Sequence, residues 1–506
     1  MFAPSRAAEE NVRGKAPSLF ELALREFDPS LLLEMKKSDL EALPSAIWPH
    51  VIRRFGAEPL SLAQLERLES VDVSSLVLTH PNTTAQSLSE VTRHSRSLET
   101  LDIQKPASLS LPSTCFAYIR ELFNLTDLRI EGLPQSFSKR KTRTPTLVVG
   151  LWQTPSQMSE ALSQMARLRT LQLPQCHLKK GDLQGLGATT SLELLDITGN
   201  PGLSDFDIAP VLRQNRNIRT LRVSETGIRS LSLLTPLRST LQCLDASWSS
   251  ITHLDALSIM TRLTDLDLSN TDIDDVAVAS FSRIWRQIVT LNLTGCTNFK
   301  GEFREDGIEL KDDGDGKEHA RMQTLLLAQT GVTDMGCHVF LPRFPFLSHL
   351  DLASTSITDQ GIATIANSVR RLKSLDVSET KVSDDGGPHL ARLEHLQVLD
   401  LSRTQLLGLD TTGLNLSSMS HLGHLRLEDL EHVAPFTIRQ MVISVIKQRE
   451  KDRAAPCPLT ITFGASSAPF SRSSSSAPPP GLTPSDLLTN PDITWASAGI
   501  ARTGGG

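Results

Sequence analysis

One short frame recurs along this 506-residue chain and limits what the chain can fold into. The pattern L-x-x-L-x-L, with Ile, Val, Met or Ala allowed at the apolar places, begins at Leu98, Leu125, Leu168, Leu192, Ile218, Leu241, Leu263, Ile288, Met322, Leu347, Leu372, Leu396 and Leu422. A degenerate earlier copy, LESVDV, starts at Leu68. The steps between successive starts from Leu98 are 27, 43, 24, 26, 23, 22, 25, 34, 25, 25, 24 and 26. All but two match one short strand followed by a returning helix, so a stacked array is expected, with a helix behind every strand. An array also answers a chain length that exceeds a single hydrophobic core. Aromatic residues make up only 5% of the chain, so the expected interior is aliphatic side chains in layers.

Three positions after the last apolar residue of the frame stands a small hydrogen-bonding residue: Cys176, Asn200, Thr226, Ser249, Thr271, Cys296, Thr330, Thr355, Thr380 and Thr404. The chain leaves the strand there, and a short inward side chain can bond backbone groups that the turn strips of ladder partners. The segments SITDQG (Ser356 to Gly361) and KVSDDG (Lys381 to Gly386) then place an Asp as the expected helix cap. With LDLASTSITDQGIATIA at Leu350 to Ala366, these residues resemble the cysteine-containing, ribonuclease-inhibitor-like subclass of leucine-rich repeats. The resemblance covers roughly Leu68 to Leu427. It implies an α/β leucine-rich-repeat solenoid, a horseshoe with a parallel concave sheet, convex helices and a short helical N-terminal cap. Such a scaffold serves many tasks, so it does not by itself specify a function.

The expected organisation is a disordered 1–16, a helical cap or adaptor-binding box at 17–57, the solenoid at 58–436, a capping helix and last strand at 437–463, and a disordered Ser/Pro/Gly-rich tail at 464–506. Two charged insertions, near 134–150 and 300–319, account for the long steps. The first carries Lys139, Arg140, Lys141 and Arg143, either a nuclear-import signal or a mobile basic loop. The second is acidic but fails as a calcium loop, because Lys317 and Thr324 occupy the fifth and twelfth places counted from Asp313.

Within 17–57, Ser18 and Glu21 form a capping-box pattern ahead of apolar Leu19, Leu22 and Leu24. The segment SLFELALR resembles the adaptor-binding box of substrate receptors of cullin-RING ubiquitin ligases, with Ser18, Leu19, Leu22 and Ala23 as the adaptor-binding residues. Ala23 stands where that box has Cys, and Phe27 where it has a small aliphatic residue. The resemblance implies elongin C or a Skp-type adaptor, and a cullin, as partners. The other reading is a structural cap.

Composition narrows the function classes. A net charge of -6 lacks the clustered basic excess that phosphate binding needs, which disfavours nucleic acid. The six cysteines include no C-x-x-C pair, and no run of eighteen apolar residues or export signal is visible. Cytoplasmic or nuclear residence without a membrane partner is expected. No Walker loop, G-x-S-x-G elbow, H-E-x-x-H or kinase signature is present, so no catalytic residue, metal or cofactor is expected.

Side chains alternate along a strand, so the residue between the last two anchors faces away from the core. That column reads Asp102, Arg129, Gln172, Asp196, Arg222, Asp245, Asp267, Asn292, Leu326, Asp351, Asp376, Asp400 and Arg426. In register, Asp351, Asp376 and Asp400 would stand about 5 Å apart. They would repel by about 1 kcal/mol per pair in water and about 3 kcal/mol at an effective dielectric of 20. Either a partner's Lys or Arg answers them, or neighbouring Ser, Thr or solvent satisfies each Asp. Trp248, just before Ser249, is expected to be exposed beside Asp245, with Arg222, Asp267 and Asn270 completing a mixed patch. The sequence therefore predicts a monomer within a complex, holding a protein on its concave face, either as a ligase substrate receptor or as a non-ligase scaffold or inhibitor.

Overall fold

The computed structural model of the chain describes residues 75–79, 98–104, 119, 122–130, 155–303, 321–407, 419, 421–430, 459–462 and 493–496. The segments expected to form an adaptor box and a capping helix after Thr437, the basic insertion and most of the acidic insertion lie outside them. Two compact units divide the chain at Gly227. In the first, strands β1 (Ser75–Thr79), β2 (Thr100–Gln104), β3 (Asp127–Ile130), β4 (Thr170–Gln172), β5 (Leu194–Asp196) and β6 (Thr220–Arg222) pair in sequence order, all parallel. In the second, β7 (Cys243–Asp245), β8 (Asp265–Asp267), β9 (Thr290–Asn292), β10 (Thr324–Leu326) and β11 (His349–Asp351) begin the same pattern. It continues through β12 (Ser374–Asp376), β13 (Val398–Asp400), β14 (His424–Arg426), β15 (Leu459–Thr462) and β16 (Ile493–Ala496). This is an α/β leucine-rich-repeat solenoid with a parallel sheet.

Two sequence expectations shift. Leu76 and Leu78 pair with Leu101 and Ile103, and Ser75 with Thr100, one repeat period further on. The earliest described copy therefore runs later than the LESVDV frame, at Leu76 and Leu78 instead of Val71 and Val73, because period, not local similarity, sets the register. Ile493–Ala496 forms a strand inside the tail expected to be disordered. Ile, Thr and Trp there favour a strand, and the Ser/Pro-rich composition around them masks that preference.

The frame works through burial. Every apolar anchor from Leu98 to Leu427 is at most 2% exposed. Where the turn residue is Thr or Ser it is also buried and donates to the carbonyl of the last anchor, as from Thr226 to Val223 at 2.6 Å, Thr355 to Leu352 at 2.6 Å and Thr404 to Leu401 at 2.7 Å. Asn200 reaches three carbonyls, those of Ile197 at 2.8 Å, Leu173 at 2.9 Å and Thr198 at 3.2 Å. Cys176 and Cys296 give Sγ contacts to the preceding repeat, to Ile130 and Leu268. Each bond satisfies a carbonyl that the sheet no longer reaches.

Helices do not follow every strand. The α-helices α1 (Pro155–Gln164), α2 (Asp205–Gln214), α3 (Asp275–Ser280), α4 (Asp334–Phe340) and α5 (Asp359–Ser368) fall in the longer copies, those that begin at Leu125, Leu192, Leu263, Met322 and Leu347. The shorter copies begin at Leu168, Ile218, Leu241 and Leu372. They return through 3₁₀ turns at Gln184–Ala188, Leu231–Leu237, Asp255–Ile259 and Asp384–Gly386, the last running into the short α6 (Gly387–Leu390). A 3₁₀ segment rises about 2.0 Å per residue against about 1.5 Å for an α-helix, so it spans the return with fewer residues.

Asp274 caps α3, accepting from the Ala277 N–H at 2.9 Å, but the Asp of the T-D and S-D segments, expected as a cap, has another task. Thr333, Thr358 and Ser383 are the caps, and Asp334 and Asp359 are the first residues of their helices. Asp334 accepts from the Thr358 backbone N–H at 2.8 Å and hydroxyl at 2.7 Å, and Asp359 accepts from those of Ser383 at the same distances. Each carboxylate thus fastens one repeat to the next. Gly361 leaves room for it, since a Cβ there would lie 2.5 Å from the Asp334 carboxylate.

The interior is not wholly aliphatic. Around fully buried Trp285 gather Phe281, Phe299, Phe303, Phe340 and Phe344, with Trp285 edge-on to Phe340 at 5.3 Å between centroids. They fill the space around the lengthened copy that runs from Ile288 to Met322. Aromatic rings supply the volume that a layer of leucines lacks there.

Candidate functional site

The open face of each sheet, opposite the anchors, is built by the column between them. Its carboxylates are satisfied locally first. Asp196, Asp267, Asp351 and Asp400 each accept from the backbone N–H two residues on, at 3.1, 2.9, 3.0 and 3.0 Å. Asp245 and Asp376 accept from both the N–H and the hydroxyl of Ser247 and Ser378. The polar-neighbour reading of the LDLS segments therefore holds for one oxygen of each. What the other oxygen meets differs between the units.

In the first unit the column neutralises itself. Arg129 stands 3.7 Å from Asp102, and Arg222 stands 3.5 Å from Asp196. Arg222, expected to join the Trp248 patch, is thus engaged on β6 with a carboxylate of its own unit.

In the second unit Asp245 lies opposite Asp267 on β7 and β8, and Asp267 opposite Asn292, whose amide donates to it at 2.9 Å. Asp351, Asp376 and Asp400 are in register on β11, β12 and β13, as the frame predicted, and Arg426 on β14 stands 3.5 Å from Asp400. Leu326 and Asp376 are the register neighbours of Asp351. Burial, then the charges of Asp376 and Asp400, push the Asp351 carboxyl up to about 6. The Asp376 carboxyl is raised too, by burial above all. Asp265, two residues before Asp267 and on the same face, is a half-buried carboxylate that a single-column reading omits.

Trp248 is 61% exposed, as expected, and its backbone is left-handed, at φ +53°. The same conformation recurs one residue before the buried turn residue in Gln175 and Glu225 of the first unit, and in Asn270, Gln329, Ser354, Glu379 and Arg403 of the second. Gly199 and Gly295 occupy it in two further copies. Asn270 belongs to this rim, and its N–H bonds Thr294 as that of Trp248 bonds Ser269. Along the rim Ser354 donates to Glu379 at 2.6 Å, and Arg403 bridges Glu379 at 2.6 Å and Asp429 at 3.0 Å. Residue identity hid this column, since Gln, Glu, Trp, Asn, Ser and Arg share only a backbone angle.

Among the described residues no group of three or more His, Cys, Asp or Glu is arranged to hold a metal ion, and no helix is long and apolar enough to cross a membrane. Burial pushes the Cys337 thiol up to about 12, far from a nucleophile's range. Ser18, Leu19, Leu22 and Ala23 lie outside the described residues.

A leucine-rich-repeat family model matches residues 260–282 and 345–366. No curated protein matches the chain. Among solved structures, an internalin from Listeria monocytogenes is similar at 19% identity and a TM-score of 0.48, covering 74% of this chain and 92% of its own. A leucine-rich-repeat protein from Leptospira interrogans aligns at 16% identity and 0.49, over 78% and 92%. The buried anchors, the parallel ladder and the two matched repeats give this chain the leucine-rich-repeat fold.

Proposed function

We propose that the chain is a non-catalytic protein-interaction module that seats a protein partner on the open sheet face of residues 228–506. Proteins built of such repeats generally serve protein–protein binding. Trp248 carries the reading: an indole 61% exposed occupies a left-handed rim position that Gly295, Asn270 and Ser354 fill elsewhere, so the turn itself does not call for a ring. A bulky residue in that conformation costs free energy, and exposed aromatic rings are the commonest energetic anchors of interfaces. Asp245 and Asp267 on the adjoining strands, Asn270 on the rim, and Asp351, Asp376 and Asp400 further along supply polar contacts. Arg222 on β6, the remaining member of the expected set, stands 3.5 Å from Asp196.

The finer reading makes the chain a substrate-recognition subunit of a cullin-RING ubiquitin ligase, a cytoplasmic or nuclear monomer within that complex. It rests on the likeness of Ser18, Leu19, Leu22 and Ala23 to an adaptor-binding box. Cys176 and Cys296 in the turn ladder favour the cysteine-containing subclass of repeats. The alternative is a non-ligase scaffold or inhibitor using the same face. Affinity purification separates them. Recovery of elongin C, a Skp-type adaptor or a cullin, lost on Leu19→Asp and kept on Trp248→Ala, is the outcome for a receptor. A folded chain that captures no ligase component sinks the receptor and leaves the scaffold. Captured partners that all survive Trp248→Ala combined with Asp267→Ala place binding on another surface.

A further inference from the structure

We propose that the open face of strands β7 to β13 takes an extended basic segment of a protein partner, with arginines set about four residues apart and an apolar residue midway. This rests on the reading of that face as the binding surface, and it specifies the chemistry of what binds.

Charge comes first. The outward strand positions of the second unit place Asp245, Asp265 and Asp267 on β7 and β8, and Asp351, Asp376 and Asp400 on β11 to β13. Arg426 answers the last of these at the β14 edge, 3.5 Å from Asp400. The first unit, by contrast, places Arg129 beside Asp102 and Arg222 beside Asp196, within its own sheet. The first unit's column thus holds two Asp and two Arg, whereas the second's holds five Asp and one Arg, and although Asp267 and Asp400 are buried against Asn292 and Arg426, that excess is complementary to a cation. The same carboxylates repel phosphate, which excludes nucleic acid and an anionic membrane from this face.

Spacing comes second. Between the two acidic groups lie β9 and β10, where the column holds neutral Asn292 and then apolar Leu326. From Asp267 on β8 to Asp351 on β11 is three strand spacings, about 14 Å. An extended peptide advances about 3.4 Å per residue, so four residues cover that span, and side chains at i, i+2 and i+4 share one side. Basic residues at i and i+4 then meet the two acidic groups, and an apolar residue at i+2 meets the Leu326 stretch. Trp248, on the rim beyond β7, offers a ring face to a guanidinium, which favours Arg over Lys at that end.

The test uses the full chain and a fluorescein-labelled peptide, Ser-Arg-Ser-Leu-Ser-Arg-Ser, read by anisotropy. Saturable binding is expected, weakened at least tenfold when both arginines become Glu, and by a similar factor when Asp267→Asn and Asp376→Asn are combined. Asn keeps the oxygen that accepts the local backbone N–H at both positions but loses the bond that the Asn292 amide donates to Asp267, so circular dichroism checks that the variant still melts cooperatively, and Asp376→Asn alone, which touches no such bond, should weaken binding in the same direction. A peptide with adjacent arginines should bind several-fold more weakly. Equal binding of the Glu peptide, undiminished binding by the Asn variant, or no saturation by the arginine peptide at millimolar concentration overturns the proposal. If the peptide fails while Trp248→Ala still releases a captured partner, the basic-segment inference falls and the interaction surface stands. If Trp248→Ala releases nothing, the surface itself is wrong.

Discussion

Asp351 is where the single residue speaks most clearly. Its carboxyl is raised from 3.8 to about 6 by burial and by the charges of Asp376 and Asp400. Elsewhere around it, His349 shares its strand and is held low by burial and by Lys373, and Arg426 acts at the far end on Asp376. A carboxyl raised on folding binds its proton in the native state while the unfolded chain has lost it. Stability therefore falls as pH rises from about 4 to about 6 and is flat above. Asp351→Asn removes the charge and keeps the acceptor for the Ala353 N–H. It should stabilise the protein by about 1–3 kcal/mol at pH 7.5 and by almost nothing at pH 4. Urea denaturation at the two pH values decides, and an equal gain at both would assign the effect to packing. Much at this scale was legible in the sequence. Alternation placed the Asp column and Trp248 on the open face, and the Ser or Ala two residues on marked where one oxygen would be satisfied. The rim was not legible, because a left-handed φ is written in no residue type common to Gln329, Glu379 and Arg403.

At the scale of elements, the step between copies carries more than a count. Among the described copies, steps of 22 to 24 mark 3₁₀ returns and steps of 25, 26 and 43 mark α-helices, so the numbers that define the repeat also bear on its outer wall. The Asp of the SITDQG segment was misread as a cap because its real partner, Ser383, lies in the next copy. Asp359→Ala would strip the Ser383 N–H and hydroxyl of their acceptor and should cost about 1–3 kcal/mol in urea denaturation. Gly361→Ala gains up to about 1 kcal/mol of helix propensity, but its Cβ would press on the Asp334 carboxylate and on Ile357, a strain of about 1–3 kcal/mol. The conflict is removable. With Asp334→Ala already in place, adding Gly361→Ala should become neutral or stabilising, a coupling that a double-mutant cycle in urea measures. Additive effects would mean that Ile357, not the carboxylate, sets the limit.

Over the whole molecule the two units differ in the balance of charge along the column, and salt should separate them. Ion pairs such as Arg129–Asp102 and Arg222–Asp196 join part-exposed arginines to largely buried carboxylates at 3.5–3.7 Å and stabilise the first unit weakly, by up to about 1 kcal/mol each. Screening can only diminish them. The Asp351–Asp376–Asp400 run opposes the fold of the second unit, and screening relieves it. The run's spacing of about 5 Å lies below the Debye length of about 8 Å at physiological salt, so relief is incomplete until about 1 M, where that length is about 3 Å. Amide hydrogen exchange should therefore show the strands β11 to β13 gaining protection between about 0.05 and 1 M sodium chloride, while β5 and β6 stay level or lose a little. Combining Asp351→Asn with Asp376→Asn should abolish the gain and leave the first unit unchanged. A rise shared equally by both units, or one that persists in the doubly substituted chain, would point to a general effect of salt on apolar burial and would remove the electrostatic basis for a cationic partner.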